Sequence, residues 1–218
     1  MKVHDCILFS NEVDLLYLRL SELDPVVDDF VIIQATTTFQ GAERQIVSLE
    51  SDARLEQFSA KLRHIVVDDL PRGTSPWFAE YVQRNRVREA LVGQAEPDDL
   101  IVLSDVDEIP SRAAVEQARM IDRSQVGAFN MRFFYYGLNW EVPFGFRAAK
   151  VFRAEALSHV STQELRSCRP DIIFRESGWH FSYFYKRREL VQEIQKKAGS
   201  FAHTEFSGVD YLRASYLD

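Results

Sequence analysis

Residues Asp98 to Pro110 read "DDLIVLSDVDEIP", and the architecture of the chain follows from how they are interpreted. Four apolar residues, Leu100 to Leu103, run directly into Asp105, Asp107 and Glu108, and Pro110 closes the stretch. An apolar run without polar alternation suits a strand covered on both faces, as in a parallel sheet flanked by helices. The carboxylates at its end then stand on a sheet rim. In an extended segment the side chains at i and i+2 point the same way, so Asp105 and Asp107 would face one point. Unpaired, they would repel, and one would tend to keep its proton. A hard divalent cation such as Mg²⁺ or Mn²⁺ removes that conflict and can bridge to phosphates. The rival explanation is that the cluster caps a helix opening at Pro110 and Ser111, where acidic residues are mildly stabilising. The spacing alone fits both.

Working outward, the same strand-then-helix pattern repeats. Val3 to Phe9, Phe30 to Ala35 and His64 to Val67 read as strands. Glu12 to Leu23 reads as an amphipathic helix through Val13, Leu16, Leu20 and Leu23, with Asn11 as N-cap, Asp14 in a capping-box-like place, and Pro25 as the stop. A short helix is expected over Ser51 to Leu62, a long one over Pro76 to Gln94, and another from Pro110 to about Arg123. Repeated units of this kind imply a Rossmann-type α/β fold, a mostly parallel sheet with right-handed crossovers. Ligands collect at the carboxyl ends of such strands. Here those ends carry Ser10-Asn11-Glu12, Gln34, Asp68-Asp69 and Asp105-Val106-Asp107. The second half differs. Gly127 to Trp140 and Gly178 to Tyr185 are aromatic-rich and strand-like, and Lys186 to Ala198 reads as a basic amphipathic helix. A mixed or antiparallel sheet is expected there.

The 218 residues suit one domain, and 46% are hydrophobic, enough for one sizeable core. A net charge of -7 argues against a general nucleic-acid binder. An anionic substrate would need a local positive device: a metal ion, an arginine pair or a helix N-terminus. No apolar run reaches the length of a membrane span, and His4 and Asp5 interrupt the place where a signal peptide needs its apolar region. Cys6 and Cys168 have no metal-type spacing and read as two reduced, structural thiols, so a cytoplasmic setting is expected. His180, in "SGWHF", is a lone histidine among aromatics; such a residue is more often packed and hydrogen-bonded than a ligand, yet it could add a nitrogen to a Mn²⁺ site.

Four blocks taken together, "FSNEVDLLYLRLSELDPVVDDFVIIQATTTFQG", "QRNRVREAL", "DDLIVLSDVDEIP" and "GWHFSYF", resemble the family-17 glycosyltransferases, in order and over nearly the whole chain. The resemblance implies a GT-A-like fold. One domain, 1–218, would comprise a nucleotide-sugar-binding half to about residue 110 and an acceptor half from about 111. It implies a UDP-linked donor, N-acetylglucosamine as the sugar, a glycan or other hydroxyl acceptor, and inversion at the anomeric carbon. By position, Asp105 and Asp107 match the metal motif, and His180 is a candidate further ligand. Asn11 and Glu12 match the loop beside the nucleotide, with Asp105 and Asp68 on the same rim. Gln34 stands where an acidic residue is expected after the second strand, and Ala42-Glu43-Arg44 is less basic than expected. The chain ends soon after "FAHTEF", so the final family segment is expected to be short or missing.

An inverting transfer needs a base near the acceptor hydroxyl that is not itself a metal ligand. Glu176, Glu141 and Glu108 are the candidates, Glu108 alternatively orienting the metal motif. Arg84 and Arg88 lie four apart on the long helix, where a guanidinium fork suits a diphosphate; Arg84 is assigned to the site and Arg88 to a solvated face. Trp140 and Trp179 are the candidate platforms for the apolar faces of sugar rings. Two other readings share the Asp-x-Asp pattern: a metal-dependent phosphohydrolase, and a non-catalytic nucleotide-sugar or glycan-binding module. The hydrolase usually carries its motif after the first strand, and here it follows the fourth.

Overall fold

The computed structural model of the chain describes residues 1–184. Strand β1 (Val3–Phe9) leads into helix α1 (Val13–Leu23) and strand β2 (Asp29–Ala35). Two short 3₁₀ helices, Leu49–Ser51 and Glu56–Lys61, precede β3 (Leu62–Val67). Helix α2 (Pro76–Leu91) leads to β4 (Leu100–Asp105), and a tight turn leads to β5 (Glu108–Pro110). Helix α3 (Arg112–Ala118) is followed by β6 (Val126–Phe129), β7 (Met131–Tyr135), β8 (Glu141–Phe146) and β9 (Lys150–Arg153). A 3₁₀ segment, Ala154–Ser158, then helix α4 (Thr162–Ser167), β10 (Ile172–Phe174) and β11 (Gly178–Ser182) complete the described elements.

Among the described residues the main sheet has seven strands in the order β10-β6-β9-β4-β1-β2-β3. Strands β4, β1, β2 and β3 run parallel, and β9 runs antiparallel between β4 and β6. Alternation along each strand separates two apolar layers. Val3 and Ile7 of β1, Phe30 and Ile32 of β2, and Leu100 and Val102 of β4 pack under α1 and α3. Cys6 and Leu8, Val31 and Ile33, and Ile101 and Leu103 pack under α2 and α4. This is the mostly parallel, helix-flanked sheet that the sequence implied. A second, mixed sheet of four strands, β5-β11-β7-β8, stands beyond the end of β4. Strands β6, β9 and β10 come from beyond residue 111 yet extend the main sheet, so the two halves of the chain share it.

Several expectations are corrected. The helix predicted over Ser51 to Leu62 is the pair of 3₁₀ turns, and the long helix stops at Leu91, where Val92 turns extended. Asn11 does not cap α1. Glu12 occupies the cap position without a side-chain bond into the helix, and its carboxylate accepts instead from the Asn11 N–H at 3.0 Å. Pro110 does not open the next helix. Its missing N–H is tolerated at the end of a three-residue edge strand, and α3 is capped by Ser111, whose hydroxyl accepts from Ala114 N–H. The carboxylate cluster is therefore not a helix cap. Nor is it one extended run: β4 ends at Asp105 and β5 starts at Glu108. The basic helix expected over Lys186 to Ala198, the end of the Gly178 to Tyr185 segment, and the "FAHTEF" region lie outside the described residues.

Candidate active site

The strand order turns back on itself between β1 and β4, which is where open α/β sheets place their ligand crevice. A cleft of about 570 Å³ opens there. Its floor is the end of β1 and the Asp105–Glu108 turn, and α2 contributes Glu80, Gln83 and Arg84. Helix α4 contributes Gln163, Arg166 and Ser167, and the mixed sheet supplies a wall that includes Phe133, Tyr135, Phe146, His180 and Ser182.

Chain register explains how the second half reaches the motif. Strand β11 pairs antiparallel with β5, and His180 lies directly opposite Glu108. Opposed residues of an antiparallel pair share a face with Cβ atoms roughly 5 Å apart. Gly178, opposite Pro110, makes this approach possible: its φ is +139°, and a Cβ there would stand 2.1 Å from the Ile109 carbonyl oxygen. The Asp107 carbonyl accepts from Phe181 N–H at 2.9 Å, which stitches the turn to β11. Among the described residues, Asp107, Glu108 and His180 can each offer a ligand atom within 4.8 Å of the others, and all three are buried. The His180 ring is stacked on Phe133 at 4.5 Å and lies 4.0 Å from Phe146. Its Nε2 is 3.6 Å from Asp107 Oδ2, too long for a hydrogen bond, and its Nδ1 is buried without a partner among the described residues. A buried imidazole left in that state fits a divalent cation at this carboxylate–imidazole set.

Asp105 is not part of that group. Its carboxylate accepts from Arg84 Nη1 at 3.0 Å and Arg166 Nη2 at 3.3 Å. Burial alone would raise its pKa; the two guanidiniums outweigh both burial and the neighbouring Asp107 charge, and hold the carboxyl below its usual range. Arg166 also grips Glu108 with both Nη atoms, at 2.6 Å for Nη1–Oε2. Burial would lower the Arg166 pKa, but the Glu108 and Asp105 charges raise it above the ordinary arginine value. Arg84 also pairs with Glu80 at 3.0 Å. Arg84 Nε and Gln163 Oε1, both on this cleft, are buried without partners among the described residues.

The other expected site residues are dispersed. Glu12 lines the cleft, whereas Asn11 and Asp68 are exposed and do not line it. Gln34 is wholly buried, donating to the Ser10 carbonyl at 2.5 Å with its Oε1 3.1 Å from His64 Nε2, so it braces the end of β1 from behind. Glu141 and Glu176 line a separate cleft of about 350 Å³ with Arg132 and Phe144. Hydrogen bonds from Arg132 at 2.8 and 2.7 Å hold the Glu141 carboxyl below its usual range. Trp179 neighbours His180 in β11 and so faces the opposite side of the sheet, packed with Ile109, Phe134 and Phe181. Trp140 is half exposed, edge-on to Tyr136. Arg88 is not on a solvated face: it donates to the Leu157 and Ser158 carbonyls. Arg166 and Arg19 were not singled out from sequence. A charge inside an apolar strand, Asp5 in β1, was the available signal for Arg19, since such a carboxylate demands a buried partner.

The sequence model of the family described as Glycosyltransferase family 17 matches residues 1–216. Similar curated proteins are the β-1,4-mannosyl-glycoprotein 4-β-N-acetylglucosaminyltransferases of Rattus norvegicus and Homo sapiens, each 31% identical over 150 residues and 65% of this chain. The chain spans 28% of the length of those relatives. Similar solved structures include the mannosyltransferase PcManGT from Pyrobaculum calidifontis in complex with GDP-Man and Mn²⁺, at a TM-score of 0.47 and 12% identity, covering 91% of this chain and 61% of that one. Another is glucosyl-3-phosphoglycerate synthase from Mycobacterium tuberculosis in complex with Mn²⁺, UDP and glucosyl-3-phosphoglycerate, at 0.41 and 12%, covering 91% and 80%.

Proposed function

The chain belongs to glycosyltransferase family 17, and on that premise we propose that it is a metal-dependent, inverting transferase that moves N-acetylglucosamine from a UDP-sugar to a hydroxyl of a glycan-type acceptor. The observation that carries this reading is the meeting of Asp107, Glu108 and His180 in one cleft, each able to offer a ligand atom within 4.8 Å of the others. Those three residues would hold Mn²⁺ or Mg²⁺. When bound, such an ion offsets the charge that develops on a leaving diphosphate.

The remaining roles belong to the chain itself. Arg84 and Arg166 fix Asp105 as an anion at the rim, where it can accept from a nucleotide hydroxyl. Arg84 itself lines the cleft, where its positive charge favours an anionic nucleotide. Phe39, Tyr135 and Phe146 give the cleft apolar faces suited to sugar C–H surfaces. The acceptor proton must go to a carboxylate that is not holding the ion. Glu12 and Glu80 line this cleft, whereas Glu141 and Glu176 line the other.

The test is calorimetric titration of the full chain with UDP, GDP and UDP-N-acetylglucosamine, with and without Mn²⁺, followed by transfer to a glycan acceptor panel. Mn²⁺-dependent UDP binding that is lost in Asp107→Ala, together with turnover, supports the reading. Metal-independent binding overturns the metal assignment. Binding without transfer overturns the catalytic one, and phosphate release from phosphomonoesters replaces it with a hydrolase.

A further inference from the structure

Arg19 is a fully buried arginine in α1, on the face turned toward the sheet. An arginine has five N–H donors, and here each has an acceptor. Nε donates to Asp5 Oδ2 at 2.8 Å, and Nη2 donates to Asp5 Oδ1 at 2.5 Å and Ser104 Oγ at 2.6 Å. Nη1 donates to the carbonyl oxygens of Asp105 at 3.0 Å and Glu108 at 2.6 Å. Ser104 Oγ in turn donates to the Glu108 carbonyl at 3.2 Å.

The Asp5 pair accounts for the charge of Arg19. It does not account for Nη1. That single nitrogen joins the two ends of the four-residue turn Asp105–Glu108. Between those ends, the Asp107 carbonyl accepts from Phe181 N–H. These bonds fix the backbone from which the Asp107 and Glu108 carboxylates project, although three like charges crowd the turn.

We propose that Arg19 is a positioning residue for the cation-binding turn: its Nη1 clamps the Asp105 and Glu108 carbonyls so that the Asp107 and Glu108 carboxylates are pre-set beside His180. The inference rests on the reading of those three residues as a cation site, and its test separates the two. Lysine at this position keeps the charge beside Asp5 but presents a compact ammonium in place of the fork. Asp5→Asn does the reverse, weakening the charge pair and leaving the carbonyl contacts in place.

Three full-length proteins are compared well below their melting temperatures: wild type, Arg19→Lys and Asp5→Asn. Both variants lower Tm. Mn²⁺ affinity is read by electron paramagnetic resonance, and amide hydrogen exchange is read on the peptide spanning residues 104–110. Arg19→Lys is expected to weaken Mn²⁺ by about tenfold or more, as loss of groups that orient ligands does, and to speed exchange in that peptide. Asp5→Asn, at comparable loss of Tm, is expected to do neither. Unchanged exchange and Mn²⁺ affinity in Arg19→Lys overturn the inference, as does an equal effect of Asp5→Asn. Absence of Mn²⁺ binding in the wild type overturns the cation site, and the exchange comparison then still decides whether Arg19 sets the turn.

Discussion

His180 is held between two phenylalanine rings with one nitrogen buried and without a partner among the described residues, so its chemistry and its packing can be separated by substitution. His180→Ala is expected to weaken Mn²⁺ binding by about tenfold or more, and His180→Phe, which restores the stacked ring, should recover Tm without recovering metal. A variant that loses Tm but keeps Mn²⁺ affinity would make the ring a packing element. At the opposite end of β1, Asp29 is 2.9 Å from His4 Nδ1 and 2.6 Å from Arg63 Nη2. Burial alone would raise the pKa of its carboxyl; the His4 hydrogen bond and the Arg63 charge outweigh that and lower it. A depressed carboxylate contributes stability above its unfolded pKa and loses it as pH falls through the folded value. Asp29→Asn should therefore cost on the order of 1 kcal/mol at neutral pH, with the gap closing below about pH 4 in Tm measured against pH. The sequence offered Asp107 and His180 as candidates through the Asp-x-Asp spacing and the family resemblance, and the fold brings the two side chains within reach of each other. Arg166 and Arg19 were not singled out: Arg166 sits on a short polar helix, Arg19 lies among the leucines of α1, and only the fold brings them to residues 105 and 108.

Among the elements, the three-residue strand β5 is the hinge on which the site depends. Its proline resembles a helix start, and three residues are too few for a period, so the sequence pointed to the wrong element. The long apolar strands β1, β2 and β4 were readable because burial on both faces leaves no room for polar residues. The 3₁₀ turns before β3 were not, since their contacts come from elsewhere in the core. Pairing of β5 with β11 depends on Gly178. Gly178→Ala should force its Cβ against the Ile109 carbonyl, cost more than about 1 kcal/mol, and abolish Mn²⁺ binding by separating His180 from Glu108; urea unfolding and a metal titration check both. Helix α4, which delivers Arg166, is fixed at its start by a full capping box of Ser161 and Glu164. Ser161→Ala should cost about 1 kcal/mol in urea unfolding and loosen the Arg166–Glu108 contact, seen as weaker Mn²⁺ affinity.

For the whole molecule, a cation that binds only the folded state must raise its stability by mass action. Mn²⁺ at about 100 times its dissociation constant should add about 2.7 kcal/mol, a Tm increase of several degrees that excess chelator reverses and that Asp107→Ala lacks. The main sheet was legible as a class, but not the return of β9, β6 and β10 to its edge, because pairing between distant segments leaves no local trace. One pairing also sets a timetable for synthesis. The aspartate motif leaves the ribosome long before His180, and β5 has no partner until β11 has emerged. The motif on a nascent chain therefore lacks its imidazole, and a metal ion cannot act as the template around which the first half folds. At the proposed cation site, loading would be a late event that selects among ions by the shape of a finished cavity, and a truncated product ending before β11 would carry the motif without the ability to capture an ion.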